Sequence, residues 1–176
     1  MDDIYLGNPL LKKANVAQEF TQEQIVEFVK CKEDPVYFAK EHVKIVSLDE
    51  GLVPFKPYDF QEKLIRNFHA NRFNICKMPR QTGKSTTSVS YLLHYAVFND
   101  NVNIGILANK AATARDLLGR LQTAYENLPK WMQQGIIAWN KGSLELENGS
   151  KILAASTSAS AVRGMSFNIL FLDEFA

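Results

Sequence analysis

The sequence is poor in the residues that would commit it to several common classes. Two cysteines, Cys31 and Cys76, are too few for a disulfide framework or a zinc site, and suit a reducing cytoplasm. The three histidines, His42, His69 and His94, fall on expected helices with no metal-ligand spacing, which assigns them structural roles. No apolar stretch approaches the roughly 20 residues of a membrane-spanning helix. The opening Met1-Asp2-Asp3-Ile4 is acidic, which argues against a secretory leader. A net charge of +1 supplies no global field for nucleic acid, so any such contact is local or made by parts outside this chain. Repeats, low-complexity segments and long charge runs are missing too. What remains, 46% hydrophobic and 22% charged over 176 residues, is the composition of a globular chain able to hold one ordinary core.

Residues 1–20 read as irregular. Thr21 is an N-cap, with Glu23 and Gln24 in the first turn, for a helix carrying Ile25, Val26, Phe28 and Val29. Asp34-Pro35 opens a second, short helix. Gly51, Pro54 and Pro57 make residues 45–57 a loop or an edge hairpin, and Asp59 to Ala70 is amphipathic and helical. Val102 to Ala108 reads as a strand and Ala111 to Asn127 as a helix stopped by Pro129. Strands alternating with helices predict a mainly parallel sheet flanked by helices. Residues 143–156 depart from that pattern. Leu144 and Leu146 alternate with Glu145 and Glu147, and Asn148-Gly149 predicts a type I′ turn, hence an antiparallel hairpin beside the sheet.

Chemistry concentrates in two places. Phe73 to Met78 reads as a strand, with Cys76 buried in it, leading into Pro79-Arg80-Gln81-Thr82-Gly83-Lys84-Ser85-Thr86 and a helix to Phe98 with apolar Val89, Leu92, Leu93, Ala96 and Val97 on one side. A nucleoside triphosphate site needs backbone N–H groups around the β-phosphate, an ammonium at the β/γ oxygens, a hydroxyl on Mg²⁺ and a helix N-terminus aimed at the anion. Gly83, Lys84 and Ser85 supply the second half of that pattern. Met78 stands where the first glycine of G-x-x-x-x-G-K-[ST] belongs. Near the chain's end, the apolar run Phe167 to Leu172 reads as a buried strand leading into Asp173-Glu174, the form of a Walker B motif. There Asp173 would hold Mg²⁺, with Ser85, and Glu174 would orient or deprotonate the attacking water. Asp-Glu after a strand is by itself often only a solvated helix start. Its place downstream of Gly83-Lys84-Ser85 is what gives it weight.

These residues carry a resemblance. Arg80-Gln81-Thr82-Gly83-Lys84-Ser85, Asn140-Lys141-Gly142-Ser143 with the Asn148-Gly149 hairpin, Val162-Arg163-Gly164 and Asp173-Glu174 resemble the N-terminal ATPase part of the large terminase subunit of tailed bacteriophages, most closely the myovirus type. The resemblance covers the chain from about Asn15 onward. It implies a P-loop NTPase of the additional-strand class, C-terminally incomplete. Residues 1–56 would be a helical or irregular lead-in, and residues 57–176 a partial ATPase domain ending just after Walker B, without the nuclease domain of full-length members.

The implied function is an ATP-hydrolysing motor, with ATP and Mg²⁺, that drives double-stranded DNA into the procapsid. Implied partners are DNA, the portal protein, the small terminase subunit and further copies in a ring, with no membrane, in the cytoplasm of the infected host. Arg80 could reach the γ-phosphate as an arginine finger acting in cis, or pair with a carboxylate and shape the loop. Arg163 is the rival finger, offered to a neighbouring subunit, with a solvated surface arginine as the plain alternative. Phe55-Lys56-Pro57-Tyr58-Asp59-Phe60-Gln61 looks like the adenine-recognition motif of these motors. There Gln61 would read the base edge and Tyr58 or Phe60 would stack on it, unless both rings are core. Gln81, Thr82 and Thr86 complete the nucleotide-binding set. Trp131 and Trp139 suit packing under a loop better than stacking on DNA. A superfamily 2 helicase-like translocase, or a truncated module that binds nucleotide without turnover, are the competing functions.

Overall fold

The computed structural model describes residues 3–47, 49–158 and 164–174. Its centre is a five-stranded sheet in the order β6-β7-β8-β5-β9. These strands are β5 (Asn103–Ala108), β6 (Ile136–Trp139), β7 (Ser143–Leu146), β8 (Lys151–Ser156) and β9 (Ile169–Asp173). β8, β5 and β9 run parallel, while β6, β7 and β8 form an antiparallel meander. The sheet is therefore mixed and not mainly parallel. The physical reason is the short loops on either side of β7, which reverse the chain where a parallel pairing would need a long crossover.

The hairpin between β7 and β8 forms as the alternation of Leu144 and Leu146 predicts, with both leucines buried. Its turn differs from the expected type I′. Only Gly149 has positive φ, at 80°, and its N–H bonds to Leu146 O at 3.0 Å. A type I′ turn would need left-handed backbone at Asn148 as well. Asn148 instead spends its side-chain amide on Ala96 O and Asn99 O, at 2.9 and 3.0 Å, tying the turn to the end of a helix.

The N-terminus is also more regular than expected. β1 (Ile4–Tyr5) and β2 (Asn8–Lys12) make a hairpin through Leu6 and Gly7, whose φ of 46° and 79° fit a tight two-residue turn. Lys13 bridges to Ile136, attaching this hairpin to the β6 edge. Buried Gln133 fastens it further. Gln133 accepts from Lys12 N at 3.1 Å and donates to Leu10 O at 3.0 Å.

Five helices follow from local signals. Thr21 caps α1 (Gln22–Glu33) in a reciprocal box with Gln24. Asp34 closes α1 and opens α2 (Pro35–His42), its carboxylate accepting from Val36 N and Tyr37 N at 2.9 and 3.2 Å. A hairpin of β3 (Lys44–Ser47) and β4 (Gly51–Pro54) precedes α3 (Asp59–Ala70). α4 (Lys84–Phe98) and α5 (Ala111–Glu126) complete the set. α5 lies on β5 and β8, α4 packs on α5, and α2 and α3 pack on α4. One core runs from Leu11, Cys31 and Phe38 through Leu93 to Ile152, so residues 1–56 share it with the rest of the chain.

Two expected features change in the folded chain. α4 is buried on every side from Thr87 to Phe98 except at half-buried Tyr95, where a one-sided apolar stripe was expected. Three neighbouring helices enclose it, and its Ser88, Ser90 and His94 are buried with its apolar residues. Residues 73–79 form no strand; Phe73 and Ile75 lie in solvent and Cys76 is exposed. The β-prone sequence is there, but among the described residues no strand pairs with it, and an extended segment without a ladder has no strand hydrogen bonds.

Candidate functional site

α4 begins at Lys84 because Gly83 takes a left-handed conformation, φ 72°, at its N-cap. The preceding turn is held by Thr82 Oγ1 donating to Pro79 O at 2.9 Å, and Gln81 also has positive φ, 62°. Gly83 has a second reason to lack a side chain. A Cβ there would stand 2.5 Å from Gln61 Nε2. Gln61 is buried at the start of α3, where its carbonyl accepts from Tyr58 N at 2.9 Å and its amide donates to Thr82 O at 3.1 Å. The glutamine thus bridges the start of α3 to the candidate phosphate loop. Lys84, Ser85 and Thr86 are half-buried on the first turn of α4, while Arg80 and Gln81 are exposed. The first-turn N–H groups of a helix have no partners within it, so this loop offers donors and a positive dipole end to an anion.

Beside the loop is a cleft of about 420 Å³, lined by Ser47 and Glu50 of the β3–β4 hairpin, by Lys56, Tyr58 and Gln61, and by Gly83 and Thr86. Phe55 is buried beneath it. Tyr58 and Phe60 are exposed and stacked on each other, rings 5.7 Å apart at 10°, so they are not core residues. Gly51, Pro54 and Pro57 mark the hairpin in sequence, but its place as a wall of the cleft appears only in the folded chain.

β9 carries the carboxylates. Ile169, Phe171 and Asp173 share one face, and the first two pack against the core. Leu170 and Leu172, on the other face, are exposed, so this is not the buried strand expected. β9 is the sheet's edge, and Asp173 sits at its carboxyl end, in register with Ala108 of β5. Burial, and then the neighbouring Glu174, push the Asp173 carboxyl above its ordinary range, while the charges of Lys84 and Arg120 pull it back down. Lys84, at the head of α4, is thus one of two cations whose charge acts on Asp173. Arg120 of α5, paired with Asp116 at 2.9 Å, also acts on Asp173 through its charge, an influence that sequence reasoning missed because nothing local marks it. Glu174 follows with φ 48°, exposed. Arg163 lies outside the described residues.

The donor set suits a hard cation and a polyanion. A serine hydroxyl and a carboxylate are oxygen ligands of the kind Mg²⁺ takes, and the direction a Gly83 side chain would take is filled by Gln61. Residues 75–176 match the family model described as "Terminase large subunit, T4likevirus-type, N-terminal". The fold is similar to that in the crystal structure of the HK97 bacteriophage large terminase, with a TM-score of 0.66 at 20% identity. That similarity covers 81% of this chain and 31% of the other, so the chain spans under a third of that relative's length.

Proposed function

This chain belongs to the T4-like terminase large subunit family, in its N-terminal part, and from that premise we propose that it is the ATP-hydrolysing element of a motor moving double-stranded DNA into a procapsid. The observation that carries the reading is the left-handed Gly83 turn that opens α4 beside the cleft under the β3–β4 hairpin, with the charge of Lys84, on that first turn, acting on Asp173 at the end of β9. In this reading the fold is a P-loop NTPase of the additional-strand class. Thr82, Gly83, Lys84, Ser85 and Thr86 cradle the phosphates, with Gln81 at the edge of the loop. The adenine enters the cleft under the β3–β4 hairpin, beside Tyr58. Gln61 keeps one amide hydrogen uncommitted by the contacts described above, and positions the loop as much as it meets the base.

Ser85 and Asp173 would hold Mg²⁺, which when bound would neutralise phosphate charge. Glu174 orients a water toward the γ-phosphorus and accepts its proton on a carboxylate oxygen. As the new P–O bond forms, the bond to the bridging oxygen breaks and ADP leaves with that oxygen. Arg80, on the exposed side of the loop, neutralises charge growing on the transferred group; Arg163 keeps the alternative role from a neighbouring copy. The portal protein, the small subunit and a ring of copies on the procapsid, in the infected cell's cytoplasm, are the assembly this implies. Among the described residues no helix is long and apolar enough to cross a membrane.

The test is steady-state phosphate release with Mg²⁺ and ATP for the wild-type chain, Lys84→Ala and Glu174→Gln. Lys84→Ala should lose nucleotide binding, and Glu174→Gln should bind normally while hydrolysis falls on the order of 10³-fold. Equal rates for wild type and Glu174→Gln would remove Glu174 from its role. A second reading, nucleotide binding without turnover, is favoured by one observation: residues 73–79 leading to the loop are paired to no strand. Binding by the wild-type chain with no phosphate release would select it. Packaging into purified procapsids, set against unwinding of a forked duplex, separates the motor from a helicase-like translocase.

A further inference from the structure

Away from the nucleotide cleft, the α1–α2 pair gathers three side chains of metal-ligating type. Glu27 and Cys31 are four residues apart on α1 and so share one face. Asp34 turns the chain, and the last residue of α2, His42, comes back to meet them. His42 Nε2 lies 2.8 Å from Glu27 Oε1, and Cys31 Sγ lies 3.8 Å from the same oxygen. One ligand atom from each falls within 4.8 Å of the other two.

The spacing is close to what a tetrahedral zinc ion would require. Bonds of about 2.3 Å to sulfur and about 2.0–2.1 Å to nitrogen and oxygen separate the ligands by roughly 3.3–3.6 Å. The His42–Glu27 pair would open by about half an ångström and the Cys31–Glu27 pair would close slightly. The surroundings fit a held site as well. Cys31 is fully buried, and its backbone carbonyl accepts from His94 Nε2 at 2.8 Å. The His42 ring stands edge-on to Trp131, centroids 6.3 Å apart at 89°, with Phe38 beside it at 6.4 Å. Tyr37 Oη donates to the second Glu27 oxygen at 3.0 Å, which orients the carboxylate. The His42 and Glu27 side chains keep 13% and 25% of their surface exposed, enough to leave a path for an ion.

We propose that Glu27, Cys31 and His42 form a binding site for a divalent transition metal of the zinc class, with water completing a tetrahedron. Thiolate, imidazole and carboxylate together select zinc or cobalt over magnesium and calcium, which favour oxygen alone. The bound ion would staple the middle of α1 to the end of α2. His42 is followed directly by Val43 and by β3, the strand that leads into the cleft's hairpin wall, so occupancy would also fix the root of that wall. The proposal stands independently of the nucleotide reading.

Cobalt(II) is the probe. The chelator-treated chain is titrated with Co²⁺ and followed for thiolate-to-cobalt charge transfer in the near ultraviolet and for the intense visible bands of tetrahedral cobalt. One equivalent should produce both, Zn²⁺ should bleach them, and Zn²⁺ should raise the melting temperature. Cys31→Ser should abolish the charge-transfer band, while Cys76→Ser, which alters the other and exposed thiol, should keep it. His42→Gln should weaken Co²⁺ binding by at least about tenfold to a hundredfold. Circular dichroism establishes that each variant is folded, and His42→Gln carries the test if Cys31→Ser is not. Absence of a thiolate band with the folded wild-type chain, a band that follows Cys76, or no response of melting to Zn²⁺ would reduce the cluster to a hydrogen-bonded triad and overturn the proposal.

Discussion

Gly83→Ala tests the link between the candidate phosphate loop and the buried glutamine behind it. The substitution places an L-residue at φ 72°, which costs about 1–2 kcal/mol. Its Cβ would also stand 2.5 Å from Gln61 Nε2, well inside contact distance. Gln61 must swing away, breaking its 3.1 Å bond to Thr82 O within a site it occupies at 4% exposure. Leaving those buried groups unpaired costs roughly another 1–3 kcal/mol. Together the two effects predict a loss of about 2–5 kcal/mol of folding stability.

Urea unfolding of the wild type, Gly83→Ala, Gln61→Ala and the double variant resolves the two contributions. In the Gln61→Ala background the clash is gone, and Gly83→Ala should cost only the backbone part, about 1–2 kcal/mol. An equal cost in both backgrounds would refute the idea that Gln61 and Gly83 are fitted to each other. Nucleotide binding by Gly83→Ala should weaken in both backgrounds, since the left-handed N-cap aims the loop.

Arg80→Ala should leave ATP binding near normal and lower hydrolysis on the order of 10³-fold, measured by equilibrium binding beside phosphate release; a parallel collapse of binding would make Arg80 a ground-state anchor. Burial pushes the His94 imidazole down to about 4, with its Nδ1 lacking a partner among the described residues. Because the unfolded chain takes up that proton first, stability is intact above about pH 6.5 and declines toward pH 4, by roughly 3 kcal/mol. Urea midpoints across that range should show the slope, and His94→Phe should flatten it. Gln133→Ala strands Lys12 N, Leu10 O and Leu128 O around a buried site, so urea unfolding should register a loss of roughly 2–4 kcal/mol. Detachment of the N-terminal hairpin should accompany it, visible as faster amide exchange at Lys12.

Much of this architecture is legible in the chain. Thr21, Asp34-Pro35 and the apolar spacing of 59–70 mark helices to within a residue or two, because caps and periodicity are local properties. So are Gly83 at the head of α4 and Asp173-Glu174 at the foot of β9. Long-range features are not legible in that way. The exposed state of residues 73–79 depends on which strand lies beside them, not on their own β propensity. The geometry at Asn148 follows from the carbonyls of α4 that its amide reaches. The meeting of His42 with Glu27 and Cys31 depends on an interhelical turn at Asp34, so neither cysteine count nor histidine spacing could reveal it. The influence of Arg120's charge on Asp173, likewise, arises only from the packing of α5 on the sheet.

The enclosure of α4 has a mechanical corollary. A rod gripped along almost its whole length cannot tilt or slide by itself without opening voids against α2, α3 and α5, and close-packed interiors resist that strongly. In the proposed reading, a displacement imposed at its head by phosphate chemistry would therefore be delivered undamped to the helical block around it.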